Sequence, residues 1–183
     1  MSTVDGLLYL PGFLSPDDER DLLAEVETYP FHEVVMRGQT ARRTVIHFGW
    51  DYDYEGWKIH PTTPPSPGLR ALADRCAEEA GITPEALQQF LVARYPPGAT
   101  IGWHRDAPMF GSPVIGVSLL SPCTMKFRRK VADDYEVVRQ LLDPRSMYIL
   151  GGAVRTRWQH SIPPTKALRY SISMRTLSRP LKM

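Results

Sequence analysis

Between Phe90 and Thr176 the chain is divided into eight short runs, at residues 90–95, 103–106, 114–120, 124–129, 137–142, 146–150, 158–162 and 169–176. Turn-forming residues separate them, such as Pro96-Pro97-Gly98 and Gly151-Gly152. Runs this short, rich in β-branched and aromatic residues, read as strands, and many of them in succession give a β-sandwich or barrel. Seventeen prolines among 183 residues fit a chain with many turns.

The first half is mixed. Residues 6–10 read as a strand stopped by Pro11-Gly12. Ser15 then suits a helix N-cap, with Pro16 at the first helical position and Asp17, Asp18 and Glu19 in the first turn. A second helix is expected over 67–80, capped by Ser66 and ended by Gly81, with one more helical turn at 84–88. Between the helices, residues 34–36 suggest a strand, 37–43 are polar and basic, and 61–67 form a proline-rich loop. In 44–54, Phe48, Trp50, Tyr52 and Tyr54 fall at alternate positions, so on one strand they share a face. They belong either to a hairpin packed on the core or to a lid that stacks on a planar substrate beside Arg42 and Arg43.

Composition excludes several classes. Hydrophobic residues at 43% and charged residues at 23% are those of a globular chain. No apolar run is long enough to span a membrane, and the N-terminus lacks a secretory pattern. Two cysteines, Cys76 and Cys123, make no disulfide framework, so a cytoplasmic setting is the default. A net charge of +2 does not by itself imply nucleic acid.

The chemistry concentrates in three places. In Ile101-Gly102-Trp103-His104-Arg105-Asp106, His104 and Asp106 lie two residues apart on an extended segment and point to one face. With one further histidine they form the facial set of two histidines and a carboxylate, the arrangement of non-haem Fe(II) oxygenases. His160 supplies that histidine. The other three histidines, His32, His47 and His60, all fall in the first half. In Leu168-Arg169-Tyr170-Ser171-Ile172-Ser173-Met174-Arg175, the two arginines share a face and suit a dicarboxylate. Singly, each piece has a plainer explanation: a surface His–Asp pair, a packed strand histidine, a solvated polar face on an edge strand.

Taken in order, Arg94-Tyr95-x-x-Gly98, His104-x-Asp106, His160 and Arg169-x5-Arg175 resemble the AlkB family of Fe(II)- and 2-oxoglutarate-dependent dioxygenases. The resemblance is strong over 86–178 and looser before it. It implies a single domain over 1–183, with N-terminal helices and a substrate-recognition lid in 1–85 and a double-stranded β-helix, or jelly roll, in 86–178. The fold class is thus α+β, mainly β. It implies Fe(II) held by His104, Asp106 and His160. It implies 2-oxoglutarate contacted by Tyr95, Arg169 and Arg175, O2 as the second cosubstrate, and oxidative demethylation as the reaction. The expected substrate is an N-alkylated base in nucleic acid, single-stranded or flipped out, met by Trp50, Tyr52, Tyr54, Arg42 and Arg43. Lys126-Phe127-Arg128-Arg129-Lys130 offers either phosphate contacts or a solvated strand end. No membrane and no obligate protein partner are expected. Two departures from the family pattern stand out. Ala93 occupies the position of a usual asparagine, its contact falling to Thr100 or Ser118 or to nothing. Ala107-Pro108-Met109 has no acidic residue where DNA-repair members carry one. The alternatives are the same chemistry on a protein side chain or small molecule, and a non-catalytic binding module.

Overall fold

The computed structural model describes residues 4–53, 56 and 58–178. In chain order the elements are β1 (Leu7–Leu10), α1 (Pro16–Val26), β2 (His32–Met36), β3 (Gln39–Phe48), β4 (Trp50–Asp53), β5 (Lys58–Pro61) and α2 (Pro67–Ala80). A 3-10 turn at Pro84–Ala86 precedes β6 (Gln89–Tyr95), β7 (Ile101–His104), β8 (Phe110–Leu119), β9 (Cys123–Val131), β10 (Asp134–Leu142) and β11 (Met147–Leu150). Then come α3 (Gly152–Arg157), β12 (Gln159–Ile162) and β13 (Arg169–Leu177).

Among the described residues the strands form a seven-stranded sheet in the order β1-β11-β8-β13-β6-β3-β2. A four-stranded sheet runs β10-β9-β12-β7, and β4 and β5 make a separate pair. The two larger sheets build the expected jelly roll. The helices start where their caps predict: the Ser15 hydroxyl accepts from the Asp18 N–H in a capping box, and the Ser66 hydroxyl accepts from the Leu69 N–H.

Two apolar cores result from strand alternation. One face of the large sheet meets the helices through Phe90, Val92, Ile115, Val117, Tyr170, Ile172 and Met174, which pack with Val26, Leu69, Leu72 and Cys76. The other face meets the small sheet through Val45, Ala93, Tyr95 and Val114, against Met125, Phe127, Trp158 and Ile162. β13 lies between β8 and β6, so its polar residues line the interior rather than a solvated edge. Cys76 and Cys123 are free and buried, and no described helix is long and apolar enough to cross a membrane.

Two local features depart from the sequence reading. The 44–54 stretch is not one strand. Gly49 separates β3 from β4 at φ 76°, where an added Cβ would sit 2.1 Å from the Gln88 carbonyl oxygen. Phe48 therefore joins the helix-side core against Tyr29, while Tyr52 packs edge-on to Phe110 at 5.7 Å. Tyr54 lies outside the described residues. The basic stretch at 37–43 turns at Arg37-Gly38, both with positive φ as a tight hairpin requires, and continues as β3.

Candidate active site

β7 and β12 are antiparallel neighbours, and their register sets His160 directly opposite His104. The two imidazole rings lie 4.3 Å apart between centroids. Asp106, just past the end of β7, is buried, with Oδ2 3.7 Å from His160 Nε2. His104 Nδ1 sits 2.8 Å from the Gly102 carbonyl oxygen, so it carries the proton and leaves Nε2 as the free ligand nitrogen. Residues 54 positions apart in sequence are thus gathered at one place. They are not closed on a single centre among the described residues. Arg175 holds Asp106 Oδ1 through Nε and Nη2 at 2.8 and 2.7 Å, leaving Oδ2 on the His160 side.

The protonation states suit a metal. Burial pushes the His160 imidazole down to about 3, with His104 adding to the shift and Asp106 opposing it. Burial likewise lowers His104. Both rings are neutral at pH 7, the form that donates a lone pair. Burial alone would raise the Asp106 carboxyl. Arg175 foremost, then the two histidines and Arg155, outweigh it and hold the group well below the usual carboxylate range. Two neutral imidazoles and an ionised carboxylate are the donor set of a ferrous facial triad.

A buried guanidinium lies in the same interior. Arg169 is fully buried on β13, at 1% exposure. Its Nη2 donates to Ser118 Oγ at 3.1 Å, but Nε and Nη1 meet no partner. Its guanidinium lies over the Tyr95 ring, 4.9 Å from the centroid. A guanidinium buried with two idle donors is costly unless an anion fills the place, and a carboxylate fits that fork. Of the two candidates to replace the missing asparagine contact at Ala93, Thr100 Oγ1 is bonded to the Ile162 carbonyl at 2.5 Å, and Ser118 serves Arg169.

Three residues that sequence reasoning gave no role support this centre. Arg155, on the unexpected α3, donates to four carbonyl oxygens, those of Asp106, Ala107, Phe110 and Gly111, at 2.6–3.2 Å. It fixes the backbone that follows Asp106. Gln89, fully buried, accepts from Arg175 Nη1 at 3.0 Å. His47, on the interior face of β3, pairs with Asp51 and lies within the field of Arg175. The signal for Arg155 was only its place five residues before His160. Of the expected substrate residues, Tyr52 reaches the site's border through Phe110, over which Arg175 stacks at 4.9 Å. Trp50 is half-buried on β4, Arg43 is buried, and Arg42 is exposed on the Pro96–Gly98 turn.

The fold is that of an oxygenase jelly roll, and the gathered side chains offer a donor set for a metal. The family model described as the 2OG-Fe(II) oxygenase superfamily matches residues 6–177, and the chain belongs to that superfamily. More narrowly, it belongs to the AlkB family of Fe(II)- and 2-oxoglutarate-dependent dioxygenases. It is 31% identical over 160 residues to the mitochondrial alpha-ketoglutarate-dependent dioxygenase alkB homolog 7 of Bos taurus, covering 86% of this chain and 67% of that protein. It is 29% identical over 187 residues to the alkylated DNA repair protein ALKBH8 homolog of Arabidopsis thaliana, covering 89% of this chain. The chain spans 52% of the length of that relative. The solved structure of OsALKBH1 superposes with a TM-score of 0.71 at 17% identity, covering 96% of this chain and 99% of that one, which shows the shared fold.

Proposed function

We propose that this protein oxidatively removes N-linked alkyl groups from bases in nucleic acid, acting as one oxygenase domain over 1–183 in the cytoplasm. The observation that carries the reading is an open basic groove beside the triad. Exposed Arg105, Arg129, Lys130 and Arg157 line a space of about 650 Å³. It shares Arg105 and Thr156 with a second groove, of about 580 Å³, that reaches Asp106. A phosphate backbone laid along these cations would bring one base to the triad, and flipped or single-stranded bases are the form such enzymes reach. The name of the Arabidopsis relative, a DNA repair protein for alkylated DNA, points the same way.

In this reading His104, Asp106 and His160 hold the iron, Arg169 and Tyr95 hold the distal carboxylate of 2-oxoglutarate, and Arg175 keeps Asp106 ionised and oriented. When bound, iron and 2-oxoglutarate would direct O2 onto the substrate: one oxygen atom would end in succinate as CO2 is released, and the other would convert a substrate C–H to C–OH. An N-hydroxymethyl product then loses formaldehyde. Arg155 anchors the segment that borders the substrate, and Tyr52 with Phe110 offers an aromatic wall.

The test is release of succinate and formaldehyde over methylated single-stranded DNA, RNA and peptides. The reading expects equal amounts of both products from a methylated oligonucleotide, with binding that weakens as salt rises. Turnover confined to peptides or small molecules would replace it with the second reading, which the absence of a carboxylate in Ala107-Pro108-Met109 favours.

A further inference from the structure

We infer that Arg43 is the docking point for an anionic group of the substrate, so that the site selects a substrate with an oxyanion near its reacting carbon and rejects a cationic one. The inference rests on the proposed function for its choice of probes and on geometry for its substance.

On β3, residues Arg43, Val45 and His47 are buried and share the face that looks into the interior. Val45 packs there with Ala93 and Tyr95. Arg42 points the other way, its guanidinium beside Gly98. The last β3–β6 pair is Thr44 with Arg94, which sets Arg43 level with Tyr95, and Tyr95 in turn pairs with Arg169. Two guanidiniums therefore flank Tyr95 on one face of the large sheet. The charge of Arg43 also acts on the His104 imidazole, so it lies on the triad's side of that row.

Arg43 is 5% exposed, yet among the described residues no carboxylate pairs with it and no hydrogen bond reaches its guanidinium. The neighbouring charges are already matched. Arg175 is neutralised by Asp106, and the two idle donors of Arg169 suffice for one carboxylate of the cosubstrate. That leaves one buried positive charge without a counter-ion, a state that favours an incoming anion. The segment after Asp106 adds no negative charge that could receive a cationic base. A phosphate of the target nucleotide and a carboxylate on the substrate both meet the requirement.

The experiment uses the full chain and its Arg43→Gln, Arg43→Glu and Arg43→Lys variants, with folding checked by thermal melts. With Fe(II) and 2-oxoglutarate, oligonucleotides carrying one 1-methyladenine (cationic) or one 6-methyladenine (neutral) are compared by formaldehyde release. The wild type is expected to favour the neutral base by about tenfold in kcat/KM, equivalent to one matched charge contact. R43Q loses that preference, R43E reverses it and R43K retains part of it. A wild type that favours the cationic base overturns the inference. So does a rise of about tenfold in the 2-oxoglutarate dissociation constant of Mn(II)-loaded R43Q, which would assign Arg43 to the cosubstrate. Should neither oligonucleotide yield formaldehyde, the nucleic-acid reading has failed. The inference is then decided on Mn(II)- and 2-oxoglutarate-loaded protein by calorimetry with inorganic phosphate and formate. Binding by the wild type that R43Q abolishes supports it, phosphate alone or formate alone identifying the oxyanion preferred. Equal binding by both proteins, or none by the wild type, overturns it.

Discussion

Arg175 and Asp106 form a bifurcated ion pair, with Nε and Nη2 of the arginine 2.8 and 2.7 Å from the same carboxylate oxygen. Both side chains are largely buried, at 12% and 5% exposure. Removing one partner strands a buried charge, which costs roughly 3–5 kcal/mol. Arg175→Met should therefore lower the unfolding free energy of metal-free protein by about that amount. A loss below about 1 kcal/mol in urea titrations would show that the pair is solvated in solution.

Substituting His104 or Asp106 by Ala is expected to abolish 2-oxoglutarate turnover while leaving the circular dichroism spectrum in place. His160→Ala should do the same. Normal succinate production by any of the three would remove that residue from the triad.

Arg169→Ala should weaken 2-oxoglutarate binding far more than it changes the fold. Truncating one partner of a buried charged contact costs about 2–5 kcal/mol, or roughly 30-fold to several-thousand-fold in the dissociation constant. Arg169→Lys keeps the charge but loses the fork, and should fall between. Calorimetry with Mn(II)-loaded protein reads this directly, and an unchanged affinity would move the distal carboxylate elsewhere.

Acid should destabilise the metal-free protein from near neutrality downward. The folded-state values of His104 and His160 lie below the ordinary imidazole value. As pH falls from about 6.5 the unfolded chain takes up protons that the folded chain refuses, so stability declines with pH. For His160 the decline continues to about 3. Asp106 acts in the same direction: its contribution is present above about 3.9 and is lost as pH falls through its depressed folded value. The urea midpoint should drop between pH 7 and 5, and less steeply in a His104→Gln/His160→Gln variant. A midpoint that rises over that interval would contradict the burial of the two rings.

Arg155→Ala removes four donors from carbonyl oxygens at 106–111. Leaving partly buried acceptors unpaired costs about 1–3 kcal/mol. The expected signature is a raised KM for the substrate with a smaller change in 2-oxoglutarate affinity, since the loop borders the former. A change confined to 2-oxoglutarate would place Arg155 on the cosubstrate side.

What the sequence reveals here depends on distance along the chain. The period of two in Arg169, Ser171, Ser173 and Arg175 is local, and so is the pair His104 and Asp106, so strand geometry alone put each on one face. The meeting of His104 with His160 depends on β7 pairing with β12, a long-range match that no local pattern encodes. The eight runs from 90 to 176 correspond to β6 through β13. Their punctuation is strong, whereas the six-residue α3 is too short to show a helical period. Gly49 was the error in the aromatic stretch: the alternation is real in sequence, but one residue with positive φ divides its members between a core and the site's border. Arg42 and Arg43 were expected side by side at the substrate, but the alternation of β3 turns Arg43 inward and leaves Arg42 exposed.

The central place of β13 has a consequence for how this protein can change. Its odd-numbered residues Arg169 to Arg175 serve the cavity, and its even-numbered residues Tyr170, Ile172 and Met174 fill the helix-side core. Deleting one residue there would swap the two sets, placing guanidinium groups under the helices and methionine in the cavity. This strand admits no shift of frame. Variation in length, and with it any divergence of substrate preference by insertion, is left to the loops and to the β2–β5 region.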